Sequence, residues 1–285
     1  MSSDKKVILC ADDFGISPAV SKSICALAEK KRISATSVMV VHEGWDIHCP
    51  TLAGFHNHLD IGLHFVLTDA PPVSPIKNIA SIVSLSARFY NMKQFMKRAW
   101  FGQIKKEEVL KELTSQYDKF IETFGVPPDF IDGHHNVHQY PTVDDVVIEF
   151  VKSRGIENKI YLRNTAQSLS AVFGQKSDFL KTALISLRGS SFKKKLLNNG
   201  IRTNKSFGGV YNLTHFNKFG KRIVEFFDSA EVRNGIVMIH PGKVDSILSL
   251  RDSFCEGREI EEKVLLDTSF PEILRSLRIS LDKFE

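Results

Sequence analysis

Short apolar runs alternate along the chain with longer stretches in which apolar residues recur every three or four positions. The runs predict strands over residues 7–12, 36–41, 60–65, 130–132, 159–163 and 235–240, with a shorter one inside 206–211. Most are rich in β-branched and other apolar residues, which suit a pleated, buried backbone. The helical spacing predicts helices over 18–31, 105–124, 142–153, 216–227 and 259–281, and a helix-like stretch with a basic face over 166–200. Ser17 stands at an N-cap position, Gly125 and Gly155 stand where helices end, and Pro127-Pro128 prevents the 105–124 helix from restarting. Strands alternating with helices argue for an α/β fold with a parallel sheet or barrel. In such folds reactive groups collect at the C-terminal ends of strands.

Composition narrows the class. The 285 residues, 42% of them hydrophobic, suffice for a sizeable core. No internal repeat or domain boundary stands out. No uninterrupted apolar run approaches the roughly 20 residues of a membrane span, and the polar start Met1–Lys6 lacks a secretory pattern, so a cytoplasmic protein without an integral span is expected. Cys10, Cys25, Cys49 and Cys255 form no Cys-x-x-Cys pair and read as small apolar residues. The net charge of +5 is modest, and Lys193-Lys194-Lys195 is the one tight basic run, so nucleic acid is not an expected partner.

The costly residues crowd at strand ends. Asp132-Gly133-His134-His135-Asn136-Val137-His138 follows Phe130-Ile131, and imidazoles beside a carboxylate suit a divalent metal. Asp12 and Asp13 end the first strand, His64 lies in the third, and His240 ends the last. Each has an ordinary explanation: Asp13 as a helix cap, His64 as a core histidine bonded to backbone, His240 as a turn residue. Adjacent Asp12 and Asp13 cannot face the same way in an extended strand, although Gly15 makes a turn easy. Convergence of all these groups at strand ends favours a metal site.

The motifs resemble those of the YdjC/ChbG-type carbohydrate deacetylases. Ala11-Asp12-Asp13-Phe14-Gly15, Gly62-Leu63-His64-Phe65-Val66-Leu67-Thr68, Asp132 to Pro141 and His240-Pro241 follow in the family's order, with familiar stretches at 112–117 and 120–125. Gly133 stands where the family has Ser, and Asn136 where it has His. The resemblance implies an irregular (β/α) barrel of six to seven parallel strands, polysaccharide-deacetylase-like. It would be a single catalytic domain over 1–285, with helical excursions at about 70–125 and 166–200. It also implies removal of N-acetyl groups from amino sugars in a short oligosaccharide or glycoconjugate. Asp13, His64 and His134 would hold a divalent ion, zinc or magnesium. Asp12 would be the base and His240 the acid, with His138 and Arg163 as supporting or substrate contacts.

Other readings stay open. A two-metal phosphoesterase needs more carboxylates than are present. A non-catalytic sugar binder would tolerate loss of Asp12. A lipid-linked sugar would explain the apolar segment 89–101 and the basic segment 181–197. A homodimer is compatible with everything above.

Overall fold

The computed structural model describes residues 5–168, 171–172, 179–211 and 213–285. Its centre is a parallel sheet of eight strands: β1 (Lys5–Phe14), β2 (Ala35–Val38), β3 (Asp60–Phe65), β4 (Phe130–Gly133), β5 (Tyr161–Leu162), β6 (Ser206–Gly208), β7 (Gly235–Ile239) and β8 (Ile279–Leu281). Seven strands follow the order β5-β4-β3-β2-β1-β7-β6, and β8 pairs with the start of β1. The sheet curls until its edges meet. The Leu162 N–H donates to the Arg202 carbonyl (2.9 Å), and Asn164 and Asn204 exchange side-chain-to-backbone hydrogen bonds across the seam. The result is the irregular α/β barrel that the family resemblance implied, with eight strands rather than six to seven because the tail adds β8 beside β1.

The helices are α1 (Pro18–Glu29), α2 (Cys49–Ala53), α3 (Met92–Trp100), α4 (Lys106–Phe124), α5 (Val143–Ser153), α6 (Phe179–Asn198), α7 (Phe219–Ser229), α8 (Ser246–Arg251), α9 (Cys255–Leu266) and α10 (Phe270–Ser276). Ser17 caps α1 by accepting from the Val20 N–H, and α4 ends at Gly125 in the left-handed region. The tail departs from expectation. Residues 259–281 are not one helix: α9 and α10 are separated at 267–269, and the chain ends this stretch in β8. Charge alternation hid the break, because helical spacing does not register a turn this short. Helix α2 falls in a segment that the periodicity left without an element, and α3 lies within the helical excursion expected at about 70–125. Of the helix-like stretch expected over 166–200, residues 169–170 and 173–178 lie outside the described residues. Among the described residues no helix is long and apolar enough to cross a membrane.

Alternation along the strands sorts the side chains into two sets. Val7, Leu9, Ala11, Leu63, Phe65 and Ile131 pack outward in the large core that also contains Val20 and Ile24 of α1 and Val109, Leu113 and Phe120 of α4. Ile8, Cys10, Ala35, Phe130, Tyr161, Phe207 and Ile236 form a separate cluster, the filling of the barrel. At its lower end Tyr161 stacks between Phe130 (4.9 Å) and Phe284 (4.1 Å), so the tail beyond β8 closes the bottom.

Two predictions arise here. A Cβ at Gly62 would lie 2.4 Å from the Phe130 ring, which is itself held by Tyr161. Gly62→Ala is therefore expected to destabilise by roughly 1–3 kcal/mol, the usual cost of overpacking, read from a urea midpoint with unchanged slope. Asp60, at the start of β3, accepts from the Phe284 N–H, and burial pushes its carboxyl up to about 6. The folded state thus holds this proton more tightly than the unfolded chain. Its contribution is present below the ordinary carboxylate range and is lost as pH rises through 6. Asp60→Asn is expected to reduce the fall in melting temperature between pH 4 and 7; an unchanged fall would remove Asp60 as its source.

Candidate active site

The same alternation lifts polar groups to the upper end of the barrel. Asp12 continues the inward set Ile8 and Cys10 on β1; His64 follows Gly62 on β3; Asp132 follows Phe130 on β4; Arg163 follows Tyr161 at the end of β5; His240 follows Met238 after β7. Asp12, His64, Arg163 and His240 line a cavity of about 370 Å³ at the C-terminal ends of the strands, and Asp132 is buried behind His64. Asp13, out of phase by one residue, reaches the same place by a different route. Its φ of +69° puts it in the left-handed region, where the β1–β2 register shifts between Ala11 and Phe14. Gly15 completes the turn at φ +91°, where a Cβ would stand 2.4 Å from the Met39 carbonyl oxygen. Both carboxylates therefore face one cavity, which an extended strand forbids.

Asp13 is the hub. Its Oδ1 lies 3.3 Å from His64 Nε2 and 3.0 Å from His134 Nδ1, and its Oδ2 accepts from Arg258 Nη2 at 2.5 Å. One ligand atom from each of Asp13, His64 and His134 fits within a 4.8 Å group. Burial would raise the Asp13 carboxyl, but Arg258 and then His134 hold it well below the usual carboxylate range. His64 Nδ1 meets Asp132 Oδ1 at 2.6 Å. With its Nδ1–H donated to that carboxylate, the Nε2 lone pair of the neutral ring faces the Asp13 carboxylate, acceptor against acceptor. Such a pair needs a positive charge. Burial opposes charge on His64, yet Asp132 first, with Asp13 and Asp12, raises it to about 10, so the cluster binds a proton strongly where a cation fits. A carboxylate behind a metal-ligating imidazole is also the usual outer support of such ligands. The donor set thus fits a divalent ion.

Asp12 is held differently. Arg163 Nη1 and Nη2 each donate to one of its oxygens at 2.7 Å, and Ser37 Oγ donates to Oδ1 at 3.1 Å. Burial alone would raise Asp12, but Arg163 overrides it and brings the carboxyl to about 2. Arg163 also lies 2.9 Å from Asp132, so it ties Asp12 to the carboxylate behind His64. His240 lines the cavity, and its backbone N–H donates to Glu261. Burial lowers its imidazole from the ordinary value, with Asp13 opposing and Arg258 adding.

Six of the seven residues singled out in the sequence, Asp12, Asp13, His64, His134, Arg163 and His240, line this one cavity. His138 does not. The four-residue spacing allowed it to meet His134 on a helical turn, but His135 and Asn136 both take positive φ and the two rings part. His138 is buried, kept neutral by burial that lowers it to about 3, and donates from Nε2 to the Arg163 carbonyl at 2.7 Å. It orients the end of β5 from behind. Gly133 has a reason here: a Cβ would stand 2.8 Å from His138 Nδ1.

Sequence reasoning missed Arg258 with its partner Asp252, and the Tyr211–Glu261 pair. No local signal marks a buried arginine within a charge-rich helix. Asp132, adjacent to the imidazoles, was visible but carried no assigned role.

A family model described as YdjC-like protein matches residues 6–276. The chain belongs to the YdjC-like family. This YdjC-like chain is 26% identical over 282 residues to the chitooligosaccharide deacetylase of Proteus mirabilis (98% of this chain, 97% of the relative). It is 26% identical over 281 residues to a carbohydrate deacetylase of Clostridium beijerinckii (98% and 99%). Among solved structures it resembles an Enterococcus faecalis V583 protein proposed to cleave cellobiose phosphate, with a TM-score of 0.74 at 23% identity over 99% of this chain and 98% of that one. That likeness establishes the shared fold.

Proposed function

We propose that this YdjC-like chain is a metal-dependent deacetylase that removes N-acetyl groups from amino sugars. The observation that carries the reading is the Asp13–His64–His134 cluster beside an ionised Asp12 in one cavity. The names of the Proteus and Clostridium relatives support the same chemistry. Asp13, His64 and His134 would hold the ion, and two imidazoles with one carboxylate suit zinc better than magnesium. Such an ion supplies Lewis acidity toward a carbonyl oxygen and a water.

The remaining work falls to side chains. Asp12 takes a proton from the attacking water, and Arg163 fixes the orientation of its two oxygens. Arg258 occupies the second oxygen of Asp13, which leaves Oδ1 directed at the two imidazoles. His240 delivers a proton to the departing amine. Burial lowers its imidazole, so the proton must be acquired during the cycle: the one that Asp12 takes from the water passes to His240 and then to the amine nitrogen, which returns Asp12 to its ionised and His240 to its neutral form. His135 and Tyr140 are part of the same cavity wall, against which a sugar ring would rest.

The reading is tested by acetate release from N-acetylated chito-oligosaccharides, with chelator and with metals restored. Acetate that disappears with chelator and returns with zinc is the expected result; a metal-loaded protein that releases none would overturn it. His240→Ala is expected to slow amide substrates by about 10²-fold or more, the lower end of general acid catalysis, while sparing activated acetyl esters whose leaving groups need no proton. Equal losses on both would remove His240 from the acid role.

A further inference from the structure

Two helices flank the mouth of the cavity, and both carry apolar side chains outward. Helix α3 contributes Met92 and Met96 to the cavity wall, and Trp100, one turn further on the same face, is 63% exposed. Helix α6 contributes Leu184 and Ile185 to the wall, and Leu180 and Leu187 on the neighbouring turns are 71% and 70% exposed. Tyr140 joins the two, with Phe95 of α3 against its ring at 5.4 Å and Arg188 of α6 over its face at 4.0 Å. The apolar stripes are therefore continuous with the cavity. A soluble oligosaccharide has no use for exposed leucines, and contiguous apolar surface of this kind marks an interaction site.

Charge says what covers it. Helix α3 carries Lys93, Lys97 and Arg98, and α6 carries Lys181, Arg188, Lys193, Lys194 and Lys195; neither has an acidic residue. The whole chain has a net charge of only +5, so these eight cations leave the remainder formally negative. Lys195 is engaged with Asp144 and Asp145, Lys193 with the Lys205 carbonyl and Lys181 with the Tyr211 carbonyl, while Lys93, Lys97 and Lys194 are exposed. A second copy of this chain placed on the face by a two-fold axis would bring these cations against their own equivalents, which is unfavourable. Apolar side chains flanked by lysines instead match a bilayer surface with anionic headgroups.

We infer that α3 and α6 dock the protein on anionic phospholipid membranes with the cavity mouth toward the surface, where it takes an amino sugar carried on a lipid. The nature of that substrate rests on the deacetylase reading; the docking does not. Leu180, Leu187 and Trp100 would enter the headgroup region while the cations meet phosphates.

Sedimentation with phosphatidylglycerol–phosphatidylcholine vesicles tests it, with pure phosphatidylcholine vesicles as control and the zinc-loaded full chain as the sample. Binding to the anionic vesicles that weakens with salt is expected. Combined Trp100→Glu, Leu180→Glu and Leu187→Glu is expected to weaken it at least about tenfold, since each change removes inserted apolar area and adds like charge to the lipid, without altering acetate release from soluble sugars. Lys97→Glu with Lys194→Glu should weaken binding in the same direction. No binding to anionic vesicles, or equal binding by the triple variant, would overturn the proposal. So would a solution dimer that the triple variant dissociates. Vesicle binding without acetate from either soluble or lipid-linked N-acetylglucosamine would leave the docking standing and sink only the deacetylase reading.

Discussion

Asp12→Asn is expected to keep its metal and its fold and to lose ~10²–10⁴-fold in turnover, the range for removal of a catalytic base. Asparagine matches aspartate in shape but cannot accept a proton. The change also removes one partner of a buried arginine, normally a severe step. Here Arg163 keeps Asp132 at 2.9 Å, so its charge stays compensated. The experiment pairs turnover with metal content and circular dichroism. Lost turnover with metal and fold retained is the expected pattern. Near-normal turnover would take Asp12 out of the mechanism, and lost metal would mean that it acts on the ion site instead.

The second large effect concerns the ion itself. His64→Ala removes the proposed ligand, whose Nε2 faces Asp13, and it leaves Asp132 without its imidazole partner. Metal affinity is expected to fall by more than the ~10–100-fold typical of losing an outer-shell partner. Asp132→Asn provides that outer-shell comparison within the same pair, because it disturbs the orientation of His64 and spares the ligand. Metal analysis after dialysis against a weak chelator separates the two. Full retention by His64→Ala would refute its role as a ligand, and equal losses in both variants would mean that orientation outweighs ligation.

Some of the site was readable because strand geometry is local. Side chains alternate with period two, so once β1, β3 and β4 are recognised as apolar runs, Asp12, His64 and Asp132 fall on the barrel-facing set without knowledge of any partner. The same local rules located Ser17 as a cap and Gly125 as a stop. The resemblance in motif order added the roles of Asp13 and His134. His138 shows where local reasoning stops. Its spacing from His134 is compatible with either a shared face or a divergence, and two consecutive left-handed residues chose divergence.

What only the tertiary structure decided depends on contacts distant in sequence. Asp13 enters the cavity because its backbone turns where β1 and β2 slip register. Arg258 reaches Asp13 across 245 positions of sequence, and no periodicity in α9 announces it. Arg163 looked like an ordinary residue at a strand end, yet it is buried between two carboxylates. The sequence by itself determined which face of each strand Asp12, His64 and Asp132 occupy, because that follows from alternation over a few positions. The curl of the sheet determined which of them meet, because buried charges persist only where the fold brings a counter-charge within hydrogen-bond distance.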